Sequence, residues 1–570
     1  MSEPTAPYEW RQLPWRKLEV AVFKLQRRIY RASQANDRRR VHKLQRLLLQ
    51  SRAAKYLAVR RVTQDNHGKR TAGVDGVTAL TPRQRQQVVE RFATLPTGQP
   101  ARRVWIPKAG TAELRPLSIP TLYDRAHQAL VKQVLEPEWE AKFEPNSYGF
   151  RPGRSVHDAI GAIFNAIKTQ PKYCLDADIA KCFDRIDQTA LLRKLQTFPQ
   201  LNRPIRRWLR AGVLDNGVFT ATATGTGQGS ILSPLLANVA LHGVADHIRS
   251  HFPTRTYCGP PGGRRAVNWK PQLIKSADDF IILHRDQAVI HQCQQLVTEW
   301  LQKLGLELHP PKTHLAHTLD PEGGKAGFDF LGFEIRQYPV SHHNAKGGCK
   351  TLIKPSRDAI KRHYAQLCTI IRNNRAARQE NLIGQLNPVI AGWSQYYRAV
   401  VSKAVFQRLD NALYLRLARW ARRRHPHQGR RWIAHKYWRI EEGKGWCFGT
   451  REGRVLTHHS NTPIIRHSKV KGAASPFDGD WRYWAARREH YPGVSRRVAT
   501  LLQLQHGRCG YCDLVFLPEA FLEAHPRTQQ RGATSWRNLV AVHRHCHDQL
   551  HGGRRDQSHW DGTDDKSRPA

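Results

Sequence analysis

Apolar residues in the first part of the chain recur at the three- and four-residue spacing that is typical of an amphipathic helix. They are Val22, Leu25 and Ile29, followed by Val41, Leu44 and Leu48. Polar residues, many of them basic, fill the positions between them. The pattern predicts two basic amphipathic helices over residues 15–60, each with one apolar face packed against a core.

The pattern changes between residues 70 and 340, where short apolar runs alternate with helical stretches. Lys172 to Leu175 and Ile281 to Leu283 have the length and composition of buried strands. This region therefore predicts a mixed arrangement of helices and strands.

A helical pattern returns after residue 355, where Ser356 is a residue type favoured at helix N-caps. The apolar positions that follow at helical spacing are Ile360, Tyr364, Leu367 and Ile371. We expect helices to continue to about residue 440, followed by an irregular segment from Gly443 to Ser475.

Basic residues outnumber acidic residues along the whole chain: 92 Lys and Arg against 46 Asp and Glu give a net charge of +46 over 570 residues. A positive charge of this size favours a polyanionic partner, so we predict binding to nucleic acid. The charge does not indicate any catalytic activity. The length suggests about three or four domains.

No apolar run approaches the roughly 18 residues of a membrane span, and the first residues lack the pattern of a secretory signal. Seven of the ten cysteines are isolated in the sequence. Isolated cysteines argue against a disulfide framework and for a reducing compartment. We therefore expect a cytoplasmic protein with no membrane partner.

Two adjacent aspartates, Asp278 and Asp279, precede the apolar run Ile281 to Leu283, and Asp178 ends another predicted strand. Such carboxylates are able to hold two Mg²⁺ ions about 3.5–4 Å apart across a phosphoryl transfer. One ion would activate a primer 3′-hydroxyl and the other would stabilise the leaving pyrophosphate. The set is typical of the palm of a template-copying polymerase.

Four further residues are candidate contacts for an incoming nucleotide. Lys108 and Arg115 lie on a predicted hairpin, where two cations suit a triphosphate. Phe183 would lie under the sugar and favour deoxynucleotides by clashing with a 2′-hydroxyl; outside a polymerase it would be only a core aromatic. Gln228, in the glycine-rich turn Gly225 to Ser230, would contact the template–nucleotide pair.

Metal-ligand side chains are spaced in two pairs near the end of the chain. They are Cys509 and Cys512, then His543 and Cys546, with two residues between the members of each pair. This spacing predicts a tetrahedral structural Zn²⁺ site.

The order of these motifs resembles that of the reverse transcriptases of group II introns. Ser147–His157, "SYGFRPGRSVH", and the run "SPLLANVAL" from Ser233 are close to sequences of that family. Leu386–Arg398 and Arg419–Pro426 are similar to the family's maturase, or thumb, region. The resemblance covers nearly the whole chain.

The resemblance implies an α+β protein with a right-hand polymerase fold, a helical thumb or maturase domain and a small zinc-binding H-N-H module of ββα type. The expected segments are a basic helical extension (1–75), fingers and palm (76–345), thumb or maturase (346–440), a linker and DNA-binding region (441–505), the H-N-H module (506–555) and a disordered tail (556–570).

The resemblance also implies function. The chain would be an RNA-directed DNA polymerase that binds intron RNA as a ribonucleoprotein and assists its splicing. It would use deoxynucleotides to copy that RNA at a nicked DNA target. It would act in the bacterial cytosol or nucleoid. Lys312 would protonate or stabilise the leaving pyrophosphate. Two alternatives are a maturase with weak or lost polymerase and nuclease activity, and a domesticated reverse transcriptase serving defence or repair.

Glu523, His525, Asn538 and His547 resemble an H-N-H endonuclease, the module that nicks target DNA in this family. The family's two-residue step, Asp-His or His-His, is reduced here to His525 alone. Either His525 is the general base and a metal ligand is missing, or it is the ligand and the base is missing; we favour the first. His547 is then the expected ligand of a further divalent ion.

Two residues depart from the family pattern. Ser276 stands where Tyr or Phe is usual before Ala-Asp-Asp, and Gly227 stands where Pro is common. The metal chemistry needs neither residue. The missing ring at Ser276 is expected to alter processivity or fidelity.

Overall fold

The computed structural model describes residues 10–93, 98–107, 113–253, 255–259, 263–267, 269–321, 326–341, 348–441, 445–480, 483–484, 487, 496–516, 522–527 and 538–551. Helices and sheets are mixed within this part, as the α+β prediction requires. None of the described helices combines the length and the apolar character needed to cross a membrane. Lys108 and the predicted disordered tail, 556–570, lie outside the described residues.

Three helices form the N-terminal region: Trp15–Gln34, Arg38–Gln50 and Arg52–Arg60. The prediction of two helices over residues 15–60 is wrong because Ser51 interrupts the second one. Its backbone is extended (φ −59°, ψ 120°), and its hydroxyl caps the third helix by accepting a hydrogen bond from the amide of Ala54. The predicted apolar positions nevertheless pack into the main core.

A four-stranded sheet contains the predicted fingers hairpin. Ala101–Pro107 pairs in antiparallel fashion with Leu114–Ile119. On its other side Ala101–Pro107 pairs in parallel with Val213–Asp215, which in turn pairs with Val218–Thr220. The hairpin thus presents Arg115 on an exposed strand.

The palm sheet has four antiparallel strands, in the spatial order His314–His317, Tyr173–Ala177, Asp279–His284 and Gln272–Ser276. Alternate side chains enter separate hydrophobic cores on its two faces. Burial on both faces explains why Ile281 to Leu283 is a continuous apolar run rather than an alternating one.

Further helices and one hairpin surround the palm sheet. The helices are Pro82–Glu90, Leu122–Glu140, Val156–Ile167, Cys182–Arg185, Gln188–Leu195, Pro199–Arg210, Ser233–Leu241, Val244–Ser250 and Gln287–Gln302, and the hairpin strands are Arg255–Gly259 and Gly263–Val267. Leu122–Glu140 contacts all three N-terminal helices. It therefore joins the N-terminal region to the palm core.

A three-stranded antiparallel sheet precedes the helical region. The strands of this sheet are Phe328–Phe330, Phe333–Pro339 and Cys349–Pro355. The helices of the helical region are Arg357–Asn373, Gln379–Tyr397, Lys403–Arg424 and Arg430–Tyr437. An antiparallel hairpin, Trp438–Glu441 with Gly445–Phe448, follows them. Ser356 caps the first helix, as predicted, by accepting a hydrogen bond from the amide of Ala359 (3.2 Å). The predicted end of the helices near residue 440 is also confirmed.

Residues 449–480 have little regular structure, as the sequence indicates, but they are packed rather than extended into solvent. His459 and Val470 are fully buried. Asn387 donates a hydrogen bond to the carbonyl of Val455 (3.0 Å) and accepts one from the amide of Thr457 (2.8 Å). The predicted linker, 441–505, therefore includes a part that is bound to the helical region.

The C-terminal region contains the helix Arg496–Leu504, the antiparallel hairpin Leu522–Pro526 with Leu539–His543, and the helix Arg544–His551. A hairpin followed directly by a helix is the ββα arrangement expected of an H-N-H module. Seven of the described residues in this region form a buried core, and two of them are cysteines.

Candidate active site and metal centres

The three predicted palm carboxylates meet at one end of the palm sheet. Asp278 lies in a two-residue turn between Ser276 and Asp279, which are paired, and Asp178 directly follows the adjacent strand. Ala277, the other turn residue, has a φ of +60°, which is uncommon for a residue other than glycine. Backbone strain of this kind is found most often at functional sites.

The palm carboxylates raise one another's pKa. Burial, reinforced by the charges of Asp278 and Asp178, raises the pKa of Asp279 to about 7. Burial, and then the charge of Asp178, also raises the pKa of Asp278. A bound cation would offset this repulsion. The donor set, carboxylate oxygens, fits Mg²⁺, which prefers oxygen ligands.

A fourth carboxylate, Asp176, lies close to the predicted three. It is two positions before Asp178 in the chain, and alternate strand residues share a face. Burial raises the pKa of Asp176 to about 7, and the charges of Asp279, Asp329 and Asp178 act in the same direction. Asp176 was not among the predicted site residues, and its two-residue spacing from Asp178 is the sequence feature that could have indicated it.

Lys312 reaches the palm carboxylates from the turn Pro310–Lys312, with its side chain 61% exposed. Its Nζ donates a hydrogen bond to Asp178 Oδ2 (2.5 Å), and this bond raises the pKa of Lys312. The amide of His309 fixes the turn by donating to the carbonyl of Asp178 (2.8 Å). The predicted neighbour of the leaving pyrophosphate is thus in contact with the carboxylate site.

The fingers hairpin also brings a cation toward this site. Arg115 is exposed on the strand Leu114–Ile119. Burial raises the pKa of Asp278, and the positive charge of Arg115 acts against that rise. Arg115 is therefore within electrostatic reach of the carboxylates. Lys108, the other predicted triphosphate contact, falls on the part of the hairpin outside the described residues.

Phe183 lies half-buried in the helical turn Cys182–Arg185. Burial and then the charges of Asp278 and Asp178 raise the pKa of the neighbouring Cys182, so this turn lies beside the palm carboxylates. The Phe183 ring packs edge to face against Phe150, with ring centroids 6.2 Å apart. The two rings form one wall next to the carboxylate site.

Gln228 lies in a turn that backbone hydrogen bonds fix on both sides. Its carbonyl accepts a hydrogen bond from the amide of Ser118 (2.6 Å) on the fingers hairpin, and the amide of Thr226 donates to the carbonyl of Phe183 (2.8 Å). Gly227 has a φ of +71°. Proline, whose φ is fixed near −65°, cannot adopt this conformation, so the local backbone accounts for glycine here.

The aromatic residues of the predicted maturase motifs are mainly core residues. Trp420 and Tyr397 are buried, and the half-buried Trp393 stacks on His363 with centroids 4.5 Å apart. Basic side chains cover the outside: on the last long helix of the bundle, Arg419, Arg422 and Arg423 are exposed. The described residues of this region thus form a packed bundle with a basic outer surface.

The four predicted zinc ligands lie together. The sulfur atoms of Cys509, Cys512 and Cys546 and a ring nitrogen of His543 are all within 4.8 Å of one another. Cys512 Sγ is 3.3 Å from His543 Nδ1. Hydrogen bonds from Cys512 and Cys546 lower the pKa of Cys509, which favours the thiolate form that binds metal. The cluster is compatible with zinc.

A second cluster contains three histidines, His525, His547 and His551, whose ligand nitrogens are also within 4.8 Å of one another. His551 was not among the predicted site residues, although its i,i+4 spacing from His547 places both on one face of a helix. Glu523 lies two positions before His525 on the same strand, and Asn538 accepts a backbone hydrogen bond from Arg527 (2.7 Å).

Burial, and then the charges of His551 and His547, lower the pKa of His525. A lowered pKa keeps the imidazole neutral near pH 7, which is the form that binds a metal ion. The three rings fit a transition-metal ion or zinc, for which imidazole is a suitable ligand.

Four family models match the chain, in the order that the motifs predict. "Reverse transcriptase (RNA-dependent DNA polymerase)" matches residues 106–335, and "N-terminal domain of reverse transcriptase" matches residues 10–92. "Group II intron, maturase-specific domain" matches residues 360–438, and "HNH endonuclease" matches residues 509–553.

Several proteins are similar to parts of the chain. Protein YkfC of Escherichia coli K12 is 30% identical over 350 residues, which are 55% of this chain and 88% of that protein. Group II intron-encoded protein LtrA of Lactococcus lactis subsp. cremoris is 40% identical over 148 residues, 25% of this chain and 24% of LtrA. Maturase-like protein 1 of Euglena gracilis is 31% identical over 242 residues, 40% of this chain and 50% of that protein.

Proposed function

This chain belongs to the family of group II intron-encoded reverse transcriptases, and on that premise we propose that it binds its intron RNA, assists splicing and copies the RNA into DNA at a nicked target. The observation that carries the proposal is the meeting of Asp178, Asp278 and Asp279 at the end of adjacent strands. The maturase domain implies binding to intron RNA.

Asp178, Asp278 and Asp279 are proposed to hold two Mg²⁺ ions. When bound, these ions supply Lewis-acid stabilisation of the attacking 3′-hydroxyl and of the leaving pyrophosphate in an in-line displacement. The protein holds the three carboxylates in place through strand pairing and the strained turn at Ala277. Asp176 adds negative charge behind them.

The other side chains are proposed to bind the nucleotide. Arg115 and Lys108 would neutralise the triphosphate, and Gln228 would contact the template–nucleotide pair. Lys312, whose Nζ donates to Asp178, would exchange this partner for the leaving pyrophosphate and could deliver a proton to it. Phe183 would exclude a ribose 2′-hydroxyl.

We expect Phe183→Ala to admit ribonucleotides, because it removes half of the wall that Phe150 and Phe183 form. The preference for deoxynucleotides, measured as a ratio of kcat/KM values in primer extension on an RNA template, should fall by about 10- to 100-fold. Phe164→Ala, at an exposed position on the helix Val156–Ile167, is the control. An unchanged ratio would show that Phe183 does not set sugar selectivity.

A splicing maturase without polymerase activity is less well supported. Such a protein does not need the palm carboxylates, whereas here Asp178, Asp278 and Asp279 are all present and close together. A domesticated reverse transcriptase remains distinguishable by its gene neighbourhood. An intron RNA structure flanking the gene would argue against it.

We propose that the H-N-H module binds one divalent ion through His525, His547 and His551 and that the ion serves DNA nicking. Ring centroids of His525 and His551 are 4.9 Å apart, and those of His525 and His547 are 5.4 Å apart. This arrangement supports the ligand role for His525 rather than the favoured role of general base. Its neighbours Ala524 and Pro526 carry no group that is able to act as a base.

We expect His551→Ala to weaken binding of this ion by about 10-fold or more, because one of three imidazole ligands is lost. Titration of zinc-loaded protein with Ni²⁺ or Mn²⁺ measures the affinity, and nicking of supercoiled DNA provides a second measurement. His506→Ala, an exposed histidine outside both clusters, is the control. Equal affinities for the two variants would exclude the three-histidine site.

The zinc assignment of the first cluster, the target DNA and the deoxynucleotides are further parts of this proposal. The cytoplasmic or nucleoid location stays a prediction.

A further inference from the structure

Residues 465–480 and 483–484, which we call the strap segment, cross Ser147–His157, which lies beside the palm and which we call the palm motif. The guanidinium of Arg154 donates hydrogen bonds to the carbonyls of Gly472 (3.0 Å) and Ala474 (3.2 Å). Arg154 is 7% exposed, so these bonds are shielded from water. A buried side chain of the palm motif therefore holds the strap segment in place.

Asp158 provides a second anchor for the strap segment and is fully buried. Its carboxylate accepts hydrogen bonds from the amide of Val470 (2.8 Å) and from His467 Nε2 (2.9 Å), and it forms an ion pair with Arg487. Burial favours protonation of Asp158, but His467 and Arg487 hold its pKa well below the ordinary value. The anchor therefore keeps its charge at neutral pH.

Trp484 lies directly against the motif at Gly153. A Cβ atom on Gly153 would be 2.6 Å from the indole ring, and Gly153 has a φ of +71°, so glycine is required there on both counts. The indole N–H donates to the carbonyl of Ser475 (3.1 Å), and Trp484 is 5% exposed. The strap segment is thus closed upon itself and packed onto the motif.

The strap segment is also held by the N-terminal region. The ring of Phe477 stacks on Phe23 with centroids 6.3 Å apart, and its centroid is 6.5 Å from that of Tyr30. Both partners lie on the helix Trp15–Gln34. The segment therefore contacts the N-terminal region as well as the palm motif.

The first half of the palm motif contacts the turn formed by Ala277 and Asp278, which we call the catalytic turn. A Cβ atom on Gly149 would be 2.3 Å from the amide nitrogen of Ala277, so the two backbones are in direct contact. Phe150 packs on Phe183. Between these contacts and the strap segment lies Arg151, which is buried and forms a two-bond ion pair with Glu140 (2.8 and 2.9 Å).

We infer that the strap segment positions the catalytic turn and the Phe150–Phe183 wall for nucleotide binding, with Trp484 and Arg154 as positioning residues. The inference rests on the proposed polymerase function. Only three residues separate Gly149, against the catalytic turn, from Gly153, under the indole ring. Protein interiors are close-packed, so a cavity beneath Gly153 allows the motif to relax toward it. A small displacement of groups that contact the nucleotide weakens its binding in the ground state and the transition state alike, which raises the KM with little change in kcat.

Two substitutions in the full-length protein test this role. Trp484→Ala removes the ring, and Arg154→Lys keeps the charge but loses the paired hydrogen bonds to the strap segment. We expect both to raise the KM for deoxynucleotides by about 10-fold and to lower the preference for deoxynucleotides over ribonucleotides, with kcat changed by less than about threefold. Trp484→Phe should restore most of the wild-type KM. All assays are done well below the lowest Tm of the set.

Trp10→Ala is the matched control. Trp10 is 4% exposed, its indole N–H also donates a hydrogen bond, to Gln64 Oε1 (3.0 Å), and it lies outside the palm motif. It should lower the Tm without changing the KM or the sugar preference. A purely structural role of Trp484 would give the same result as this control.

The outcomes separate the two claims. If the wild type extends primers while folded Trp484→Ala and Arg154→Lys keep its KM and sugar preference, the positioning role is overturned and the polymerase function stands. Should Trp484→Ala fail to fold, Arg154→Lys decides the question. A folded wild type that extends no primer would overturn both claims.

Discussion

Asp279→Asn is expected to abolish RNA-templated primer extension and, in metal-free buffer, to raise the Tm. The activity should fall by about 1,000-fold or more, because a neutral amide replaces an anionic ligand of the two-metal site. The Tm should rise because burial and the charges of Asp278 and Asp178 raise the pKa of Asp279 to about 7. Its ionised form therefore destabilises the folded protein when no cation is bound.

The pH dependence of this stabilisation has a definite sign. A carboxyl group whose pKa rises on folding, here from 3.8 to about 7, favours the folded state at low pH and loses that contribution as the pH rises through about 7. The Tm difference between Asp279→Asn and wild type should therefore be absent near pH 4, grow up to about pH 7, and stay constant above it. Mg²⁺ should raise the Tm of the wild type more than that of the variant.

Thermal denaturation in EDTA from pH 4 to pH 8, with primer extension in parallel, measures both effects. Asp246→Asn is the control, because Asp246 is exposed on the helix Val244–Ser250. Full activity of Asp279→Asn would remove Asp279 from the metal site. A Tm difference that shrinks as the pH rises would contradict the electrostatic account.

Cys546→Ser is expected to unfold the C-terminal module and leave the polymerase folded. Among the described residues of the module, seven form its buried core, and Cys509 and Cys546 are two of them. Two of the proposed zinc ligands are thus part of the core itself, and binding of a structural zinc contributes on the order of 10 kcal/mol or more. Loss of one ligand therefore removes most of the stability of the module.

Zinc content by atomic spectroscopy, together with limited proteolysis, tests this expectation. The wild type should carry zinc at the four-ligand cluster, whereas Cys546→Ser should lose it and be cleaved within residues 496–551. Cys368→Ser, a half-buried cysteine in the helical region, is the control. A variant that loses its zinc and still resists protease as the wild type does would show that the metal is not structural.

Unfolding of the C-terminal module should have little effect on the structure of the N-terminal region. His545 Nε2 lies 3.6 Å from Glu19 Oε1, and this contact joins the module to the first helix. Glu19 also accepts a hydrogen bond from Arg60 (2.5 Å) within the N-terminal region itself. Because that bond does not depend on the module, we expect primer extension by Cys546→Ser to stay within about threefold of wild type.

The sequence indicates those site residues that are close to one another along the chain. Asp278 and Asp279 are adjacent and precede a strand of buried apolar residues, so their place at a strand end could be predicted. The same is true of the zinc ligands, whose spacing is short within each pair. Asp176 was missed because a polar residue at an alternating strand position has the pattern of an ordinary half-exposed strand.

Contacts between distant parts of the chain leave no such pattern. Arg154 and Gly472 are 318 positions apart, and neither shows in the sequence that it binds the other. Residues 465–480 of the strap segment contain no helix or strand, so periodicity could not indicate that Val470 and Phe477 are buried. A helix break at Ser51 was also missed, because the apolar spacing continues across it and only the serine marks a new N-cap.

The most direct test of the central claim is primer extension by the purified full-length protein on an RNA template with an annealed DNA primer, Mg²⁺ and deoxynucleotides, comparing wild type with Ser276→Tyr. A reverse transcriptase should yield full-length DNA from the wild type, and the restored ring at position 276 should lengthen the products. If both folded proteins bind RNA and neither extends the primer, the chain is a splicing maturase whose polymerase fold serves only to bind RNA.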